Sequence, residues 1–391
     1  YTDKNAGAGN KTIAVTNAVG DANTSVTNYN ITYVNSTTST ISKKTLTVTA
    51  SDQTKTYDGN TTVASNTAYN VTGLVGNETI SSVTLAYTDK NAGSGNKTIT
   101  VTNATGDANT SASNYLITYV NSTASTINKA ELGITALTQT KSYDGNINVM
   151  NPIGYNVTGL VAGENISSVV LKFDTKNAGF NKTVSVSNAT GAANTSLSNY
   201  NITYSNSTDS TIYTKTLTVT ATNQTKTYDG GTGVASNTAF TTSGLVGNET
   251  ISSVTLAYTD KNAGAGNKTI SITNATGDAN TSVTNYNITY VNATGSTINT
   301  KALTVTAGAQ TKTYDGNTNV ASNTAYNVTG LVANETISSV TLAYTDKNAG
   351  AGNKTIAVTN ATGDANTSVT NYLITYVNST ASTINTKALT V

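Results

Sequence analysis

The chain repeats itself, and the period decides most of what it can fold into. Tyr-Asp-Gly recurs at Tyr57, Tyr143, Tyr228 and Tyr314, at spacings of 86, 85 and 86 residues. Lys-Asn-Ala-Gly begins at Lys4, Lys90, Lys176, Lys261 and Lys347, and Asn-Tyr-x-Ile-Thr-Tyr begins at Asn28, Asn114, Asn199, Asn285 and Asn371. The one short step falls where Gly93-Ser94-Gly95-Asn96 becomes Gly179-Phe180-Asn181, a loop-type deletion. A unit of this length is too long for a solenoid coil and suits a small domain with its own core. Such a domain buries roughly 60% of its unfolded surface, enough to stand without staples. The period predicts complete units at 44–129, 130–214, 215–300 and 301–386. Residues 1–43 read as the second half of a further unit, and 387–391 as the first strand of another. The expected setting is a longer repetitive polymer, with subunits that share split domains as the alternative.

Within one unit the apolar period is two. Leu46 and Val48 alternate with Thr45, Thr47 and Thr49; Val83, Leu85 and Tyr87 alternate with Thr84, Ala86 and Thr88; Ile99 and Val101 alternate with threonines. The turn-rich stretch from Asp89 to Asn96 makes the last two runs a hairpin. Position 116 is Leu, but its counterparts are Asn30, Asn201, Asn287 and Leu373, so it reads as exposed and Tyr115, Ile117 and Tyr119 as inward. No useful 3.6-residue period occurs, and β-branched residues with Tyr fit pleated surfaces. The reading is all-β, with about six to eight strands per unit. One unit runs into the next through Ser125-Thr126-Ile127-Asn128-Lys129-Ala130-Glu131-Leu132 with almost no linker, which predicts limited bending.

Composition removes most chemistry. The 391 residues hold no Cys, His or Trp, one Met (Met150) and one Pro (Pro152), and every basic residue is Lys. Imidazole bases, thiolate nucleophiles and soft-ligand metal sites are therefore excluded. Lys 21 against Asp plus Glu 20 leaves no basic face for phosphates, so no nucleic-acid partner is expected. No membrane span lies in the segment. With no base for a hydroxyl except a perturbed Lys, and no Gly-x-Ser-x-Gly elbow, no enzyme, cofactor or metal is expected.

Several motifs act together as a marker set. Lys55-Thr56-Tyr57-Asp58-Gly59 is followed by Gly73-Leu74-Val75, Lys90-Asn91-Ala92-Gly93, Asn96-Lys97-Thr98-Ile99-Thr100-Val101, Asn114-Tyr115 and Thr123-Ala124-Ser125-Thr126-Ile127. The set resembles the YDG-type repeats of large microbial surface adhesins and filamentous-haemagglutinin-like exoproteins, once per unit along the whole chain. The resemblance implies extracellular, tandem, immunoglobulin-like β-sandwich domains in a linear array, with β-grasp-like repeats as the alternative.

Each candidate site has a plain structural reading beside it. Tyr57-Asp58-Gly59, Tyr143-Asp144-Gly145, Tyr228-Asp229-Gly230 and Tyr314-Asp315-Gly316 read as turns, in which Asp-Gly supplies the positive φ of a tight hairpin and Tyr fills the core. Asp89 and Asp107 suggest calcium, but Asp107 has Ala192 as its counterpart, against a site common to all units. Lys55, Lys90 and Lys97, with Glu78 (Glu164, Glu249 and Glu335 elsewhere), supply the ingredients of an isopeptide staple. Their plain reading is a solvated hairpin loop and a polar turn. Among many Asn-x-Ser/Thr sequons, Asn77, Asn103 and Asn121 are the loop positions preferred for glycosylation. The tyrosines follow the apolar faces, and Phe173 replaces Tyr87, which favours packing over a stacking platform.

The expected function is structural: a stalk or fibre-forming region of an extracellular surface filament or adhesin, whose partners are adjacent repeats and other copies of the fibre. Beads spanning roughly 35–40 Å each along their strands would give a reach on the order of 160–180 Å. The competing expectation is a multivalent module that binds host or community surface glycans or neighbouring fibres through repeated loops.

Overall fold

A computed structural model describes residues 1–151 and 153–391. The chain forms two compact units, one of residues 1–139, 148–174 and 181–210, the other of residues 140–147, 175–180 and 211–391. Among the described residues the regular structure is strand, broken only by single-turn 3₁₀ segments such as Ala112–Asn114.

In the first unit, β1 (Gly7–Ile13) and β2 (Ser36–Ile41) form an antiparallel pair with bulges. One complete repeat follows: β3 (Lys44–Ala50), β4 (Thr54–Thr56), β5 (Tyr69–Thr72), β6 (Ile80–Tyr87), β7 (Gly93–Gly106), β8 (Tyr115–Val120) and β9 (Ser122–Asn128). These seven strands make two sheets, in the orders β5-β3-β8 and β4-β9-β7-β6. β6 and β7 are the antiparallel pair that the alternating pattern predicts, with Leu85 opposite Val101 and Tyr87 opposite Ile99. Less expected are two parallel pairs. β3 lies beside β8 with Leu46 opposite Ile117, and β4 lies beside β9 with Lys55 opposite Ile127. The consecutive strands β3 and β4 thus run alongside the consecutive strands β8 and β9 through both sheets, the latter two separated only by Asn121.

The core lies between the sheets. Leu46, Val48, Ile99, Val101 and Ile127 are buried, while the alternating threonines of β3 face outward or are half-buried. The Tyr87 hydroxyl, also buried, donates toward the carbonyls of Gln53 and Thr126 (3.1 and 3.2 Å) and so ties the β3–β4 corner to β9. Gly73 explains one sequence marker: its φ is +103°, and a Cβ there would sit 2.5 Å from the Thr45 carbonyl oxygen. Of the predicted inward face of β8, Tyr115 is buried, but Tyr119 is 37% exposed beside Leu116 at 64%. Tyr119 sits at the sheet edge because its hydroxyl accepts the Ala104 N–H (2.9 Å), bridging β8 to β7 where no strand ladder joins them.

Residues 130–210 contribute to the first unit a three-stranded sheet of the same order, Tyr155–Thr158, Ala130–Ala136 and Tyr200–Ser205. The second unit contains two complete repeats, in each of which both sheets keep the strand order just given.

Candidate functional site at the repeat junctions

The Tyr-Asp-Gly segment does not close a hairpin, because β4 pairs in parallel with β9 and the next strand belongs to the other sheet. It is a projecting turn clipped from behind. Lys55, its side chain mostly buried over the Tyr87 ring (5.5 Å), donates to Asp58 Oδ1 (2.6 Å) and to the Asn60 carbonyl (3.0 Å). Burial alone would raise the Asp58 pKa; the hydrogen bonds from Lys55 and the Asn60 N–H outweigh it and hold the carboxyl below its ordinary value. Gly59 takes φ +79°. The same Lys–Asp clip, at 2.7 Å, forms at Lys141–Asp144, Lys226–Asp229 and Lys312–Asp315.

So held, the tyrosine enters the next repeat. The Tyr57 hydroxyl donates to Glu164 Oε1 (2.5 Å), and Tyr200 donates to the other oxygen of the same carboxylate. Tyr200 in turn accepts the Val161 N–H (3.0 Å). The rings of Tyr57 and Tyr200 meet edge to face, centroids 5.5 Å apart. Beside them Asn199 Oδ1 accepts the Ala92 N–H (2.9 Å) and its Nδ2 donates to Asn91 (3.0 Å). The second unit repeats this arrangement twice. Tyr143 meets Glu249 and Tyr286, with Asn285 on Ala178; Tyr228 meets Glu335 and Tyr372, with Asn371 on Ala263. Among the described residues none of these glutamates forms an ion pair, so the paired phenols are what stabilise the carboxylates. Conversely, burial first and the carboxylate second push the phenol pKa of Tyr57, Tyr143, Tyr200 and Tyr228 up to about 12.

The chain contains its own control. Tyr57, Tyr143 and Tyr228 are 4%, 1% and 2% exposed, whereas Tyr314, against which no complete repeat packs among the described residues, is 36% exposed. The next repeat therefore completes the tyrosine's burial, covering the third that its own repeat leaves exposed. The glycine obeys the same rule. A Cβ on Gly230 would lie 2.7 Å from Val332 Cγ1, while one on Gly316 meets nothing within 4 Å, although both have φ +81°. Gly230→Ala and Gly316→Ala thus share the backbone strain and differ only in the clash. We expect Gly230→Ala to destabilise by about 1–3 kcal/mol more, in chemical denaturation of the full chain; equal costs would place the clash elsewhere.

The other sequence candidates fall outside this site or acquire plain roles. Lys97 pairs with Asp89, and Lys55 with Asp58, so neither faces Glu78, whose carboxylate accepts the Tyr115 hydroxyl. Asp107 Oδ1 accepts the Asn109 N–H (3.0 Å) in a local turn. Asn77 is exposed beside Glu78, and Asn103 is exposed at φ +54° in a bulged part of β7. Asn121 Oδ1 accepts the Val101 N–H (3.3 Å), which commits it to holding the β8–β9 corner. Sequence reasoning missed the glutamate as the centre of a junction. Its signal was present: four of the chain's five glutamates recur in register at positions 78, 164, 249 and 335, in a chain only 10% charged.

The profile of the YDG domain family matches residues 42–125, 128–208, 213–294 and 299–382. No curated protein and no solved structure matches the chain. Among the described residues no helix is long and apolar enough to cross a membrane.

Proposed function

Because this chain belongs to the YDG domain family, whose profile covers it in four consecutive stretches, we propose that it is a load-bearing shaft of an extracellular surface filament or adhesin. In this reading each repeat is an immunoglobulin-like two-sheet domain, supported by its seven strands divided three and four. The observation that carries the proposal is the pair of parallel ladders, β3 on β8 and β4 on β9. The chain enters a repeat at the start of β3 and leaves at the end of β9. A pull on those ends slides the β3–β4 ribbon against the β8–β9 ribbon, loading the bonds of both ladders together instead of opening them one by one. The tyrosine junctions and one-residue connections then carry the load onward, and the near-zero charge suits an inert shaft held away from a cell.

Stretching single molecules tests this. The expected trace is a regular sawtooth with a gain of roughly 250–300 Å per repeat, at nearly equal forces. Extension through a smooth low-force plateau would sink the reading. A second reading, a multivalent module for surface glycans, draws on an open cleft of about 460 Å³ lined by Asp144, Asn146, Lys176, Asn248, Glu249 and Asn280. Its many donors and acceptors match sugar hydroxyls. Saturable binding on a glycan array, lost in Lys176→Ala, favours it; a pure shaft gives no such signal.

A further inference from the structure

Each junction brings two phenols and one base together, in a chain whose composition leaves oxidation few other targets. The sequence has no Cys, no Trp and no His, and its single methionine, Met150, stands on the surface. Tyrosine is therefore the main side chain from which a single electron can be taken, and no disulfide can tie one repeat to another. Among the described residues, tyrosine rings meet at Tyr57–Tyr200, Tyr143–Tyr286 and Tyr228–Tyr372, each pair edge to face with centroids 5.5 Å apart. In each pair both phenols donate to one carboxylate, that of Glu164, Glu249 or Glu335, each to a different oxygen. The oxygen-bearing ends of the rings therefore converge. With them converge the carbons ortho to oxygen, where a phenoxyl radical carries unpaired spin and forms bonds. Tyr200 is held a second time by the Val161 N–H (3.0 Å), which opposes its rotation away from Tyr57.

The proton has a place to go as well. Phenols are protonated at neutral pH, and these the more so, since burial and then the glutamate push Tyr57 and Tyr200 up to about 12. Loss of an electron from either ring thus calls for a base, and the base is already hydrogen-bonded to both hydroxyls. An open cleft of about 290 Å³, lined by Tyr57, Lys90, Asn91, Glu164 and Asn199 among others, joins the contact to solvent. The rings themselves are 4% and 3% exposed at Tyr57 and Tyr200, so a radical on one meets the other ring before it meets a second chain.

We propose that the junctions are sites of dityrosine formation, at which an external oxidant of the peroxide class joins Tyr57 to Tyr200, Tyr143 to Tyr286 and Tyr228 to Tyr372 as covalent staples between successive repeats. Cleavage of one peroxide O–O bond takes up two electrons, one from each ring. The glutamate accepts the first phenolic proton and passes it to the cleft, which also receives the second. The two phenoxyl radicals then form a carbon–carbon bond between ortho positions. The hydrogens at those carbons move to the oxygens as the rings regain aromaticity. Both phenols are restored, and each pair has lost two hydrogens overall. The proposal does not depend on the shaft reading, but it has a mechanical consequence. With all three staples made, a pull across residues 44–386 passes through 44–57, 200–228 and 372–386 and by-passes the rest.

The test uses the full 391-residue chain at high dilution, illuminated briefly with ruthenium tris-bipyridine and persulfate, then digested for mass spectrometry. Expected are dityrosine fluorescence and three linked peptide pairs, Tyr57–Tyr200, Tyr143–Tyr286 and Tyr228–Tyr372, each lighter than the sum of its parts by two hydrogens. In Glu249→Gln the Tyr143–Tyr286 link falls roughly tenfold or more, because the amide cannot take the proton. The links at the other two junctions stay at their wild-type yield, which shows that the chain is folded and equally dosed. Tyr143→Phe abolishes the same link alone, and unfolding in urea before illumination removes the preference for the three pairs. Links scattered among other tyrosines, or formed mainly between chains, overturn the proposal. So does the absence of the three pairs at a dose that consumes exposed tyrosines such as Tyr29 and Tyr213. A Tyr143–Tyr286 yield in Glu249→Gln equal to that of wild type overturns the glutamate's part in it.

Discussion

Tyr143→Ala is expected to destabilise the second unit by about 3–5 kcal/mol, and clearly more than the same change at Tyr314, which is already 36% exposed. The two residues share the Tyr-Asp-Gly-Asn turn and the Lys–Asp clip. They differ in that Tyr143 is buried against Tyr286 and Glu249, and Tyr314 is not. Removing the Tyr143 ring leaves a cavity at the junction and takes one of two phenols from the Glu249 carboxylate. Tyr143→Phe separates these effects: it keeps the edge-to-face ring contact and loses only the hydrogen bond to a charged group, about 1.5–3 kcal/mol. Several repeats unfold in one chain, so a single two-state fit is not the right readout. Hydrogen exchange at Ala178, whose N–H is held by Asn285, and at Val246, whose N–H is held by Tyr286, reports the junction locally. Equal costs at Tyr143 and Tyr314 would mean that the tyrosine packs within its own repeat, and the junction account would fail.

What could be read in the sequence is what is local or periodic. Leu46 and Val48 alternate with threonine, and that alternation alone places them in the core. The Leu/Asn variation at position 116 placed its side chain outside, which the exposure of Leu116 matches. The parallel pairing of β3 with β8 was not legible, because nothing in a period-two pattern says which distant strand supplies the neighbour or in which direction it runs. The tyrosine turn was misread for a related reason. Recurrence every 86 or 85 residues shows that Tyr57 matters, but in a tandem array the same period fits burial in its own repeat and burial in the next. Only the contrast between Tyr57 and Tyr314 in three dimensions separates the two. Tyr119 was read as inward from alternation; its phenol does reach across to the other sheet, but the ring stays 37% exposed, a detail that hydrophobic period cannot encode.

Alkaline pH is expected to open the junctions between about pH 10 and about pH 12, well before other parts of the fold that lack phenols. Burial, then the neighbouring glutamate, raises Tyr57, Tyr143, Tyr200 and Tyr228 from 10.0 to about 12, and Tyr286 and Tyr372 further still. The sign follows from linkage. Below pH 10 the phenols are protonated in both states, and their contribution is complete. Above it the unfolded chain releases protons that the folded chain keeps, so stability falls with rising pH until the folded phenols ionise as well. A phenolate next to Glu249 would then face a like charge where it had donated a hydrogen bond, and both junction tyrosines fail together. The wild-type curve alone does not isolate the phenols. Comparison with Tyr143→Phe does: the variant starts less stable at neutral pH, yet its melting temperature falls less steeply between pH 10 and 12. Ultraviolet titration should likewise show a late, cooperative class of tyrosines that contains the junction residues. Parallel melting curves for wild type and Tyr143→Phe, or one tyrosine class titrating near its ordinary value, would show that the phenol–carboxylate contact does not hold the repeats together.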